Sequence, residues 1–304
     1  MIELMNVNTA EIEEPKVAGM RDRIAAFVEL TKPRIAFMLV LTSAAGFYLG
    51  TKGSFDLPLF VNAMIGILLL AFGVATLNQY IERDTDTLME RTANRPIPSR
   101  RTTPNEALVF GILQCAVSEI YLYFLVNPLT AVLGLSVIVG YVFLYTPLKT
   151  RTSACTAIGA IPGAMPPLMG WTAAADQITI GAWALFALLF LWQFPHFLAI
   201  ASMYKEQYAK AGIKMLPAVE PDGRITARQI VLFTIMLLPV SLAPFFLGFG
   251  GVIYLVGASI LGFWFLFESV QTARAKTVER SRRLLMVSVL YLPLIFGLLV
   301  VDNR

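Results

Sequence analysis

The sequence predicts an all-α, polytopic membrane protein, and three observations carry that expectation. Apolar side chains make up 57% of the 304 residues and charged ones only 14%, with a mean hydropathy of +0.69, which excludes an ordinary soluble domain. The apolar residues fall into nine blocks, each long enough as a helix to cross roughly 30 Å of hydrocarbon. With nine crossings and the N-terminus inside, all of the 24 Lys and Arg except Lys52 and Arg304 fall on the cytoplasmic side, as the retention of basic loops requires. Eight or ten crossings would put whole basic clusters on the wrong side. The net charge of +4 therefore follows from topology and implies no nucleic-acid partner.

In chain order, residues 1–33 form a polar cytoplasmic segment without the apolar run of a cleavable signal. Within it, 19–31 pattern as a short interfacial helix leading into Lys32-Pro33-Arg34. Residues 34–304 read as one domain of packed helices, since no linker or composition shift divides them. The first two spans are 34–50 and 57–80. The third and fourth, 105–126 and 128–146, are parted only by the very short turn at Asn127-Pro128. The fifth, 154–173, holds Gly159, Pro162, Gly163, Pro166, Pro167 and Gly170. It must be kinked or broken, which a bilayer tolerates where the freed backbone groups are buried or line a cavity. The sixth is 178–203. The seventh and eighth, 229–248 and 251–270, are separated by Gly248-Phe-Gly-Gly251, and the ninth is 284–301. Charged cytoplasmic loops at 81–104 and 204–228 follow the second and sixth spans, a spacing that hints at an internal repeat. The outer loops are short and almost bare of charge. Absence of a targeting segment favours a bacterial plasma (inner) membrane, with the C-terminus outside.

Where the second span ends, Asn78, Glu82 and Asp86 recur every four residues, so on a helix they form one stripe about two turns long. Two carboxylates and an amide suit a hard cation such as Mg²⁺, which takes its remaining ligands from water and substrate phosphates. Arg91 and Arg95 repeat the spacing just beyond, and guanidinium groups bind phosphate oxygens in pairs. Metal and arginine together stabilise the charge that develops as diphosphate leaves. The plain alternative is a solvated charged loop among lipid headgroups.

The cytoplasmic ends of other spans add cations. Lys149 and Arg151, ending the fourth span, and Lys205, beside Glu206 after the sixth, are candidate diphosphate contacts, although topology explains them equally well. His196, the one histidine, lies roughly 10 Å inside the cytoplasmic face if its span is a continuous helix. An ionisable group there is a functional candidate, either a proton carrier or an axial ligand to an iron porphyrin; its ordinary alternative is a neutral imidazole satisfied by a neighbouring helix. Glu119, in the third span, is too far from this face to assign. Cys115 and Cys155 form neither a metal pattern nor a disulfide framework.

These motifs resemble the UbiA-type intramembrane prenyltransferases, and among them the branch that farnesylates haem. The resemblance runs from Glu29-Leu-Thr-Lys-Pro-Arg34 through the acidic stripe, Tyr145-Thr-Pro-Leu-Lys149, Ile158-Gly-Ala-Ile-Pro-Gly-Ala-Met-Pro-Pro-Leu-Met-Gly-Trp171 and Trp192-Gln-Phe-Pro-His-Phe197 to Met215-Leu-Pro217. It implies nine helices around a central cavity open to the cytoplasm, and Mg²⁺ as cofactor. It also implies conversion of haem b, farnesyl diphosphate and water to haem O and diphosphate, and association with the next haem-modifying enzyme. Asn78, Glu82, Asp86 and His196 are then the expected catalytic residues. The first three hold the metal, while Arg91, Arg95, Lys149, Arg151 and Lys205 hold the diphosphate. His196 would orient the haem, through iron or a propionate, or assist the water step. Two positions depart from that branch: Gln207 stands where an acid commonly follows the Tyr-Lys pair, and Cys155 where Asn is usual. The first weakens a second carboxylate metal site. Rival readings are a prenyltransferase acting on an aromatic acid in quinone synthesis, a transporter with the broken fifth span in its pathway, and a membrane haem chaperone.

Overall fold

The computed structural model describes residues 19–303, which are helical almost throughout. Helix α1 (Met20–Leu30) occupies the expected 19–31 segment; residues 1–18 of the cytoplasmic segment, and Arg304, lie outside the described residues. There follow α2 (Pro33–Gly50), α3 (Leu57–Asp86), α4 (Pro104–Leu125) and α5 (Pro128–Ile138). The last of these runs through a π-helical segment, Val139–Tyr145, into α6 (Thr146–Leu148). Next come α7 (Cys155–Gly163), α8 (Met165–Ala175), α9 (Ile180–Met203), α10 (Lys205–Lys210) and α11 (Leu216–Val219). The chain ends in α12 (Arg224–Phe246), α13 (Val252–Ala275) and α14 (Val278–Val301).

Helix starts follow the local chemistry of the sequence. Proline occupies the first turn of α2, α3, α4 and α5, where its missing N–H costs nothing. Asp56 and Asn127 accept from the backbone N–H of Leu59 and Thr130, at 2.9 and 2.8 Å, and Thr103 with Glu106 forms a reciprocal capping box. The short Asn127 turn therefore does separate two helices. The turn between α12 and α13 carries Gly248 at φ 85°, a left-handed conformation that glycine adopts without steric cost.

Among the described residues, eight helices are long and apolar enough to cross a membrane. In number, the nine predicted spans differ from these at one place. The fifth is a pair, α7 and α8, joined at Ala164 with Pro162 and Pro166 on either side, and neither helix alone has the length of a crossing. Prolines remove two backbone donors within five residues, and the helix breaks there as expected. Helix α3 also outruns its predicted end at 80, so the acidic stripe lies within a continuous helix.

Large apolar side chains such as Val109, Ile112, Phe143, Ile260 and Phe263 face outward, the lipid-facing surface of a membrane protein. Inside, α9, α12, α13 and α14 share one core around Leu185, Leu188, Tyr254, Phe265 and Tyr291, while α3, α4 and α5 share another around Leu70, Leu77 and Leu122. Helices α2 and α8 pack backbone to backbone, because Gly46 faces the Pro167 carbonyl and Gly170 faces that of Ser43, with no room for a Cβ on either. The cavity lies between these groups, and α10 and α11 pack over its polar end against Met89 and Tyr145.

Candidate functional site

One cavity of about 620 Å³ receives side chains from α2, α3, the π-segment, α7, α8, α9 and α14, a size typical of small-molecule sites. Most of its wall is apolar, including Ile67, Leu70, Val74, Met169 and Leu189. Its polar end holds Asn78, Glu82 and Asp86 together, one above the other along α3 as the four-residue spacing requires.

These side chains sit in a net of cations. Arg95 bonds the Asp86 Oδ2 at 2.6 Å and lies 3.7 Å from Glu82 Oε2. Lys149 pairs with Glu82 Oε1 at 2.5 Å and sits over the Tyr145 ring. Lys32 donates to Asn78 Oδ1 at 2.8 Å, and the Asn78 amide donates to Thr146 Oγ1 at 3.2 Å. Arg95 and Lys149 offset the two carboxylates, and Arg91 in the same cavity wall, with Lys32 when protonated, gives the polar end an excess of positive charge that suits an anion. Burial, with Arg95 adding to it, pushes the Lys32 ammonium down to about 7 against the pull of Glu82 and Asp86. Burial also opposes the Lys149 charge, yet the Glu82 carboxylate holds that ammonium well above its ordinary value.

The donor set fits a hard divalent cation. Asp86 is 1% exposed, yet its Oδ1 is buried without a hydrogen-bond partner, an acceptor left for something the protein does not itself supply. Among the described residues no group of three His, Cys, Asp or Glu forms a metal cluster. The candidate ligands are two carboxylates and an amide, the oxygen set a hard cation takes; apart from Asp86 Oδ1, their oxygens are held here by Lys32, Lys149 and Arg95.

Other predicted site residues divide into two groups. Arg91 lines the cavity, bonds the Tyr208 hydroxyl at 3.1 Å and lies over the rings of Tyr204 and Tyr208. Its backbone N–H donates to Gln207 Oε1 at 3.3 Å, so the residue that departs from the expected acid ties the two charged loops together. His196 also lines the cavity; its Nδ1 is 2.8 Å from Ser288 Oγ, and its ring stacks on Trp192. Arg151 and Lys205, by contrast, are exposed and do not line the cavity. Arg151 lies in the turn that closes on Leu148. The chain bends at Tyr204 before α10, and the side chain this segment sends inward is Tyr208 rather than Lys205. Glu119 is likewise absent from the cavity wall, consistent with its having no assigned role. Both cysteines are buried and unpaired.

Sequence reasoning missed Lys32 and Tyr208. In the sequence Lys32 stands among the basic residues that topology explains, and its contact with Asn78 joins residues 46 apart, a separation no periodicity reports. Tyr208, four residues after Tyr204, carried a weak signal: the pair shares a helical face.

Comparison with known proteins gives a concordant result. The model of the UbiA prenyltransferase family matches residues 39–292. A protein of Solibacter usitatus named "Protoheme IX farnesyltransferase" is 49% identical over 93% of this chain and 99% of its own length. A protein of Koribacter versatilis with the same name is 42% identical over 94% and 95%. A solved structure of a UbiA homolog from Archaeoglobus fulgidus bound to GPP and Mg²⁺ shares the fold with a TM-score of 0.65 and 16% identity, covering 90% of this chain and 99% of that one.

Proposed function

The chain belongs to the UbiA prenyltransferase family, and from that premise we propose that it is the enzyme that transfers a farnesyl group from farnesyl diphosphate to a vinyl group of haem b, with addition of water. Haem O and diphosphate are the products. The observation that carries this reading is a single cavity with a cation-rich polar end around Asn78, Glu82 and Asp86, an apolar body and one imidazole in its wall. The names of the relatives supply the acceptor and the donor.

Asn78, Glu82 and Asp86 would hold Mg²⁺, as the ion bound with GPP in the Archaeoglobus fulgidus homolog suggests. Bound there, the ion supplies charge neutralisation at the diphosphate oxygens. Lys32, Lys149, Arg91 and Arg95 bind the same oxygens and take up the charge that grows as the allylic C–O bond breaks. Ile67, Leu70, Val74 and Met169 surround the tail and keep water from the allylic cation. The vinyl group of the acceptor attacks that cation, and water adds to the carbon left electron-poor, losing a proton.

The polar end would face the cytoplasm of a bacterial plasma membrane, in line with the basic loops. We read residues 34–304 as one enzymatic domain, with the α7–α8 pair crossing the membrane as a single broken segment. Membranes containing the protein, incubated with haem b, farnesyl diphosphate and Mg²⁺, are expected to yield haem O by mass spectrometry. EDTA should stop the conversion and Mg²⁺ restore it. Prenylation of an aromatic acid in place of haem would overturn the reading.

A further inference from the structure

His196 has its proton placed for it. Ser288 Oγ lies 2.7 Å from the Leu285 carbonyl and 2.8 Å from His196 Nδ1. A hydroxyl carries one proton, and the carbonyl can only accept. That proton therefore goes to Leu285, and Ser288 meets the imidazole with a lone pair. Nδ1 must then carry an N–H, and in the neutral imidazole this leaves Nε2 with its lone pair bare.

The ring itself is held in place. Trp192 stacks on it at 4.6 Å between centroids and 23° between planes, and the Trp192 indole is fixed by donating to the Ser288 backbone carbonyl at 2.8 Å. One residue of α14, fully buried, thus orients both rings of α9. His196 is only half-buried and lines the cavity, and among the described residues Nε2 has no hydrogen-bond partner. An imidazole oriented through Nδ1–H and bare at Nε2 is the arrangement that metal-ligating histidines adopt.

We propose that His196 coordinates the iron of the porphyrin acceptor through Nε2, and that Ser288 is the positioning residue that keeps that nitrogen bare. The proposal rests on the reading that the acceptor is haem. It assigns the acceptor to the α9–α14 wall, where Trp192, Phe197, Val289 and Leu292 offer flat and apolar surface. The prenyl diphosphate keeps the α3 side with the cations. A ligand on iron fixes the height and tilt of the macrocycle, and so which vinyl edge meets the allylic carbon.

The test uses the full-length protein in nanodiscs titrated with ferric haem b and, separately, with metal-free protoporphyrin IX. The wild type is expected to give the absorption and electron paramagnetic resonance signature of histidine-ligated haem and to bind haem at least about 10-fold more tightly than the metal-free ring. His196→Ala should lose the signature and that preference, and added imidazole should restore the signature. Ser288→Ala should weaken haem binding about 10-fold with protoporphyrin binding unchanged, and Ser288→Thr should retain wild-type affinity. Should His196→Ala fail to insert, His196→Gln serves in its place. An unaltered haem signature in either His196 variant, from protein that still makes haem O, would overturn the ligation and leave the proposed function standing. A wild type that neither binds haem nor forms haem O would remove the functional reading itself.

Discussion

Asp86 concentrates the chemistry of the polar end in one side chain. One oxygen is taken by Arg95 and the other is buried with nothing to meet it, an arrangement that costs about 1–3 kcal/mol unless a ligand repays it. Asp86→Ala is expected to abolish haem O formation while the protein still inserts, measured by turnover against membrane content. Lys32→Met removes a charge-assisted bond of roughly 1.5–3 kcal/mol, so kcat/KM for farnesyl diphosphate should fall about 10- to 100-fold. Arg151→Ala and Lys205→Ala, both outside the cavity, should change it less than about twofold. A large loss in either would restore them to the diphosphate site. The stripe on α3 was legible because helical periodicity alone aligns Asn78, Glu82 and Asp86. Lys32 and Ser288 were not, because their contacts join segments 46 and 92 residues apart, and a cation before a first span has a sufficient explanation in topology.

At the scale of elements, the lengths of the lining helices set the depth of the site. From Asn78 down to Ile67, the lining face of α3 descends about 16 Å, and α2 from Lys32 to Thr42 about 15 Å. An extended chain of about twelve carbons at roughly 1.25 Å each, from ~1.5 Å single bonds, also spans about 15 Å, which is the length of a farnesyl tail. Ile67 and Met169 pack in the same cluster at that depth. Replacing both by Ala should raise the preference for geranylgeranyl over farnesyl diphosphate roughly 10-fold, the scale on which a pocket discriminates a few methylenes. A competition assay with the two donors reads it, and an unchanged ratio would remove these residues as the floor. The broken fifth span was legible from its prolines and glycines, and the eleven residues of α8 lie against α2 through glycine as a result. The π-segment at Val139–Tyr145 was not legible. One extra residue in a turn changes no hydrophobic pattern, yet it helps present Tyr141, Tyr145 and Lys149 to the cavity.

For the whole molecule, sidedness follows from counting crossings. Eight of the described helices are long enough to cross; with the α7–α8 pair crossing as one broken segment, as proposed above, the total is nine, which would put the C-terminus opposite the basic loops. Alkaline phosphatase joined after residue 301 should be active, and green fluorescent protein at the same place dark; the reverse result would mean that α7 and α8 return to the side from which they enter. The class of fold and most span limits were legible because a bilayer demands long apolar helices. What hydropathy could not report was how the 87–103 loop and α10 meet through Arg91, Gln207 and Tyr208 to form the wall over the polar end.

Helix α3 has 30 residues, so it is about 45 Å long and exceeds the hydrocarbon by some 15 Å. With its lower half in oil, as the proposed topology places it, its final turns and the acidic stripe would stand at the rim of the bilayer. On the proposed orientation the two products would separate between solvents: inorganic diphosphate would dissolve in the cytosol, whereas the greasy porphyrin would remain in the lipid. Phase partition, more than bond energies, would then keep the transfer running forward. Loading the aqueous phase with pyrophosphate should slow it as product inhibition.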